Sequence, residues 1–156
     1  MKPLAIHLVL LSLSLGSQSL ACPTPPDMPG LQSSLIRDIN AERAAKGMAA
    51  LTANAALTRA AQSLACDNAA RKVVGHTGAD GATLTTRMAR VGYRFGNAAE
   101  NAAGGYADPA SVTDGWMHSS GHRKNILTTP LQDIGVGVAK GPDGLLYWII
   151  DMGVQR

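Results

Sequence analysis

The chain has 156 residues, 46% hydrophobic and 16% charged, with a formal net charge of +3. That composition suits one globular domain and excludes disordered and fibrous classes. The basic residues form no cluster beyond the pairs Arg71/Lys72 and Arg123/Lys124, so there is no phosphate-tracking stripe and nucleic acid is not expected as a partner.

At the N-terminus, Lys2 precedes an apolar stretch from Leu4 to Leu15 and then GSQSLA, with Ser19 and Ala21 at small-residue cleavage positions. This is the layout of a signal peptide over residues 1–21. The apolar stretch is too short to span a bilayer, and no later one approaches the roughly 20 residues a membrane helix needs. The expectation is a secreted or periplasmic protein with no transmembrane segment, whose mature chain starts at Cys22 and carries +2. A cysteine at that position also fits a lipoprotein, but Ser19 stands where such signals favour an aliphatic residue, so lipidation is the weaker reading. Cys22 and Cys66 are the only cysteines. Export favours a disulfide between them, and a buried thiol with a frayed terminus is the alternative. Residues 22–30, CPTPPDMPG, read as a proline-rich linker.

Structure is expected from Leu31. Leu35, Ile36 and Ile39 recur at helical spacing with charged residues on the other faces, and Gly47 supplies a stop. Asn54 to Lys72 places Leu57, Ala60, Ala61, Leu64 and Ala65 on one stripe, with Thr52 or Asn54 as cap. The glycines of GHTGADG, Gly75 to Gly81, mark a loop that carries His76. Thr83 caps a short helix ending at Gly92. The stretch YRFGNAAENAAGGY is too irregular to assign. Asp108-Pro109 opens a helix expected to run to about Ser119, with Gly121 closing it. IGVGVA from Ile134 and LLYWIIDM to Met152 read as an antiparallel hairpin, and Gly135 and Gly137 leave one face of its first strand bare. Helices first and strands last define an α+β class.

Three of the four histidines, His76, His118 and His122, lie in one window with Glu100, one of two glutamates in the chain. Histidine and glutamate bind metals or move protons near neutral pH, so this window is where a site is expected. His118 and His122 are four apart, which on an unbroken helix could hold zinc, but Gly121 weakens that spacing and Ser119 replaces the glutamate of a metalloprotease HEXXH. Ser119 and Ser120 lack a GXSXG elbow, and Cys66 lies mid-helix among alanines, so neither chemistry supplies a nucleophile. No spacing supports Glu100 acting with Asp108 or Asp114 as a catalytic carboxylate pair. Trp116 and Trp148 read as core aromatics.

Taken together, INAERAAKGMAAL, GHTG, AENAAGG, WMHSSGHRKNIL and the closing IGVGVA/YWIIDMG hairpin resemble the CAP superfamily (cysteine-rich secretory protein, antigen 5, pathogenesis-related 1) in its bacterial SCP-like branch. The resemblance covers about Leu31 to Met152 and implies a CAP/SCP-like domain over residues 31–156, a three-layer α-β-α sandwich with a small antiparallel sheet between helices. It implies a cleft lined by His76, Glu100, His122 and Ser119. Ser119 stands in place of the second glutamate seen in eukaryotic members, and His118 is an extra residue. His76 and His122 would hold a divalent cation such as zinc with low affinity, and with Glu100 they have the composition of an open zinc site. The implied function is an exported, non-enzymatic binding module for a divalent metal, a lipid- or sterol-like molecule, or an envelope component or other partner. The alternative is a metal-dependent hydrolase, acting on protein or cell wall, with Glu100 as base or ligand.

Overall fold

A computed structural model describes residues 22–156; the signal peptide expected over residues 1–21 lies outside the described residues. Helix α1 (Met28–Ala44) carries Pro29 in its first turn, where a missing N–H costs nothing. Met28, Pro29 and Gly30, read from composition as the end of the linker, are therefore helical: proline bars a helix interior but not its start. The sequence in front of α1 is tied down by a Cys22–Cys66 disulfide and by the Lys140 N–H, which donates to Pro23 O at 2.8 Å.

Helix α2 (Ala55–Arg71) begins at Asn54, whose side chain accepts from the Ala56 and Leu57 N–H groups, and ends at Lys72 in the left-handed region (φ 54°). Thr83 caps α3 (Leu84–Arg90), and Asp108 and Ser111 form a capping box at the start of α4 (Pro109–His118). The expected closure at Gly121 does not occur. The chain breaks earlier, at an extended Ser119 (φ −98°, ψ 119°), and Gly121 lies inside a further helix, α5 (Ser120–Ile126). A break by backbone turning at a serine leaves no Gly or Pro signature, and it lets Ile126 reach the core.

Four strands form one sheet in the order β1-β3-β4-β2, where β1 is Thr52–Ala53, β2 Phe95–Gly104, β3 Asp133–Lys140 and β4 Leu146–Gln155. The expected hairpin is β3 and β4, antiparallel with Val136 opposite Ile150. β2 pairs antiparallel with β4, and β1 is a two-residue parallel addition to β3. The segment left unassigned in the sequence is thus β2. FGNAAENAAG contains no β-branched residue, so its strand conformation comes from pairing with β4 and not from local propensity.

Side-chain alternation divides the core. Ile134, Val136, Val138, Trp148, Ile150 and Met152 pack against Leu35 and Ile39 of α1 and Val112 and Trp116 of α4. On the opposite face Ala102, Ala139, Tyr147 and Ile149 meet Ala61, Leu64, Ala65 and Ala69 of α2, with Leu57 and Met88 beside them. The architecture is the three-layer α-β-α sandwich of an α+β protein. The bare face of β3 has its reason in α2: a Cβ on Gly135 would run into the Leu57–Thr58 backbone, and one on Gly137 into that of Ala61–Gln62.

Candidate functional site

β2 is an edge strand, and the candidate site straddles its open side at Glu100. The Glu100 side chain lies on the face covered by α2 and α3 and is buried. One carboxylate oxygen, Oε1, is 2.7 Å from His76 Nδ1, and Oε2 accepts from Arg87 Nη2 of α3. Arg87 is itself buried, and its Nη1 donates to the backbone carbonyls of His76 (3.2 Å) and Ala82 (3.0 Å). The loop that carries His76 is fixed further by Asn68, which donates to Gly75 O, and by Arg71, which donates to Thr77 O, both at 2.9 Å. One guanidinium thus sets both the histidine backbone and the carboxylate that holds its ring.

Helix α5 closes the other side. Asn125 Nδ2 donates to Glu100 O at 3.0 Å and to Asn101 Oδ1 at 2.9 Å, while Asn101 Nδ2 donates to His122 O at 3.0 Å. Trp116 Nε1 reaches Ala102 O at 3.4 Å. The segment Trp116 to Leu127 therefore satisfies outward carbonyls of an edge strand that would otherwise invite pairing, and it sets His122 close enough to His76 to feel its charge.

The two imidazoles differ electrostatically. The hydrogen bond to Glu100 raises His76 above the ordinary value of 6.5, outweighing partial burial. His122 is lowered, chiefly by burial and then by the charge of His76. In the neutral ring the contact with Glu100 Oε1 keeps the His76 proton on Nδ1 as the donor, which leaves Nε2 as the ring atom to take a ligand. The His76 side chain is 58% exposed, so the ring borders solvent.

His118 does not join this group. It sits at the end of α4, 78% exposed, with Nδ1 2.9 Å from Asp114 O and 3.3 Å from Asp114 Oδ1. Ser119 marks the break between α4 and α5 and makes no side-chain cap hydrogen bond. Trp116 and Trp148 are both buried in the core. Among the described residues no group of three or more His, Cys, Asp or Glu is placed to hold a metal ion. A cation here would have His76 and His122 as its protein ligands, since the Glu100 carboxylate is buried behind His76 and paired with Arg87.

Sequence reasoning missed Arg87, Asn101, Asn125 and Asp151. Asn101 and Asn125 lie within AEN and RKNIL, adjacent to residues singled out, but an asparagine that bridges elements has no periodic signature. Asp151 was visible as the one charge in the run LLYWIIDM, and a carboxylate amid core residues is a signal in itself. A groove of about 400 Å³ lies between Pro25, Pro26, Tyr106, Lys140, Leu145 and Leu146, and none of its lining residues is His76, Glu100 or His122.

An α-β-α sandwich with an edge-strand carboxylate paired to a loop imidazole, a second histidine on the adjoining helix and the segment before α1 tied down by a disulfide defines a CAP-type domain. Residues 36–152 match the cysteine-rich secretory protein family, and the chain belongs to that family. It is 30% identical over 113 residues to the uncharacterized protein YkwD of Bacillus subtilis (strain 168), covering 72% of this chain and 44% of the relative. The uncharacterized membrane protein YlbC of the same strain is 38% identical over 56 residues, 36% of this chain and 16% of that protein. The chain thus spans less than half the length of the curated relatives it matches. Among solved structures it is similar to an outer surface protein of Borrelia burgdorferi, with a TM-score of 0.73 at 21% identity, covering 80% of this chain and 92% of that one. An extracellular SCP-domain protein of Bacillus anthracis gives a TM-score of 0.71 at 24% identity, with coverage of 86% and 45%. These likenesses support the fold.

Proposed function

We propose that this domain is an exported, non-enzymatic binding module whose His76–His122 pair takes a divalent cation with low affinity. The observation that carries the reading is the engagement of both Glu100 oxygens, one by His76 Nδ1 and one by Arg87. A carboxylate that is buried and paired with a guanidinium orients an imidazole and fixes its tautomer, which is a positioning role and not that of a third ligand or general base. Two imidazoles with the remaining positions left to solvent suit zinc weakly. A bound cation would supply a Lewis-acid centre that bridges the domain to an anionic group of an envelope component. A lipid-like ligand would require a different place, and the groove at Pro25, Tyr106 and Leu145 has the apolar walls for it.

The test is calorimetric titration with zinc of the wild type, His76→Ala and His122→Ala, beside a turnover screen on peptide, ester and peptidoglycan substrates. Binding lost in both variants, with no chelator-sensitive turnover, is the expected result. Zinc-dependent hydrolysis abolished by Glu100→Gln would replace the binding reading with the hydrolase.

A further inference from the structure

Asp151 on β4, the strand next to β2 in the sheet, is fully buried, with 0% relative exposure. In the strand register it stands opposite Glu100 on one side and Gly135 on the other. The missing side chain at Gly135 lets the Leu57–Thr58 backbone of α2 close over that row, so water is kept out. Neither Asp151 oxygen receives a hydrogen bond from any N–H or O–H among the described residues. Arg87 does not serve it: one amino group holds Glu100, the other holds two backbone carbonyls, and Nε has no partner. The group that shares its row and its face of the sheet is the Glu100 carboxyl, on the residue directly across from it on β2.

Two carboxylates cannot bond without a proton between them, and an unpaired buried carboxylate costs far more than a protonated one. The proton's place follows from the partners. Glu100 has a guanidinium and an imidazole N–H to stabilise its charge, whereas Asp151 has no cation of its own. We infer that Asp151 is a positioning residue, a neutral carboxylic acid that donates its O–H to Glu100 and completes, with His76 and Arg87, a set of three donors around that carboxylate. Burial, together with the Glu100 charge, pushes the Asp151 carboxyl well above the usual carboxylate range, which agrees with this assignment. The consequence for the site is that the Glu100 carboxyl is held in orientation from the neighbouring strand, so the His76 ring is presented with Nε2 outward. No cation is needed for this arrangement, so it stands or falls apart from the proposed binding function.

The experiment is carboxyl 13C NMR of metal-free protein labelled at aspartate Cγ, followed by a histidine titration. One aspartate should keep the chemical shift of a neutral acid up to pH values where every exposed carboxylate is ionised, and that signal should be lost in Asp151→Asn. Asparagine can still donate to Glu100, so the same variant should fold and leave the His76 titration midpoint and Nδ1–H tautomer as in the wild type. Asp151→Leu removes the donor and should shift both. The inference is overturned if no neutral aspartate signal is present at neutral pH, or if it persists in Asp151→Asn. It is overturned equally if a folded Asp151→Leu titrates at His76 like the wild type. Should Asp151→Leu fail to fold, the aspartate signal and the asparagine variant still decide.

Discussion

Asn125 on α5 and Asn101 on β2 hold each other across the open edge of the sheet: Asn125 Nδ2 donates to Asn101 Oδ1 at 2.9 Å, and Asn101 Nδ2 in turn donates to the His122 carbonyl at 3.0 Å. This pair is what brings the histidine of GHRKNIL to the glutamate of AEN. Asn125 also donates to Glu100 O at 3.0 Å. Asn125→Ala leaves that carbonyl and Asn101 Oδ1 short of a donor, and should destabilise the domain by about 1–3 kcal/mol. Urea unfolding measures the loss, and faster amide exchange confined to α5 and β2 would show that the helix has come away from the strand.

Arg87 is the cation that permits Glu100 to be charged while buried. Arg87→Leu strands that charge and should cost about 3–5 kcal/mol, the range for removing one partner of a buried ion pair. Arg87→Lys recovers only part, because a single ammonium cannot reach Glu100 and the His76 and Ala82 carbonyls in the fork geometry of a guanidinium. Thermal unfolding of the two variants side by side checks the ranking, and equal stability of all three proteins would remove Arg87 from this role.

The two site histidines impose opposite pH dependences. The folded value of His76 is raised, so its contribution to stability is fully present below 6.5 and fades as pH climbs through the raised value. The folded value of His122 is lowered, so its contribution is present above 6.5 and fades as pH falls through the lowered value. Proton NMR titration should give a His76 midpoint above that of His122; the reverse order would contradict the geometry. Because a metal competes with the proton for an imidazole, zinc affinity should increase as pH rises through the His76 midpoint.

Most of the fold was legible where local chemistry and tertiary role coincide. Asn54, Thr83 and Asp108-Pro109 mark helix starts by caps that act locally, and Ile134 to Met152 alternates like a hairpin because it is one. β2 was illegible because alanine, asparagine and glycine carry no strand preference, and its pairing partner lies some fifty residues later in the sequence. The division of Trp116 to Leu127 into two helices was hidden for the same kind of reason, since Ser119 turns the chain where Gly121 was the visible breaker. Within the site, His76, Glu100 and His122 were legible through the resemblance. Arg87 was not, because a helical arginine reads as a solvated face, and Asp151, visible as the one charge in LLYWIIDM, had no assignable partner until the sheet set it opposite Glu100.

The bare face of β3 gives a prediction independent of the site. Gly137→Ala forces a methyl group into the backbone of Ala61 and Gln62 and should destabilise by about 1–3 kcal/mol or more, since rigid backbone, not a movable side chain, stands in the way. Gly121→Ala, where a Cβ meets nothing within 4 Å, serves as the control and should be neutral or slightly stabilising inside α5. Equal effects of the two substitutions on denaturation midpoints would show that α2 does not sit directly on the strand.

The disulfide closes a separation of 44 residues. Cys22→Ser with Cys66→Ser should cost about 4 kcal/mol in the chain-entropy account, with about 2–5 kcal/mol the usual range for a native bond in a small domain. Comparing oxidised and reduced wild type by thermal unfolding tests it without substitution. A melting temperature indifferent to reductant would show that the N-terminal segment contributes nothing to the domain.

The most direct test of the cation reading is a crystal soaked with zinc and examined by anomalous scattering. The account predicts one partly occupied zinc peak bonded to the imidazoles of His76 and His122, with the His76 Nδ1–Glu100 hydrogen bond intact. Zinc bonded to Glu100 itself, or found only at His118 and Asp114, would contradict it.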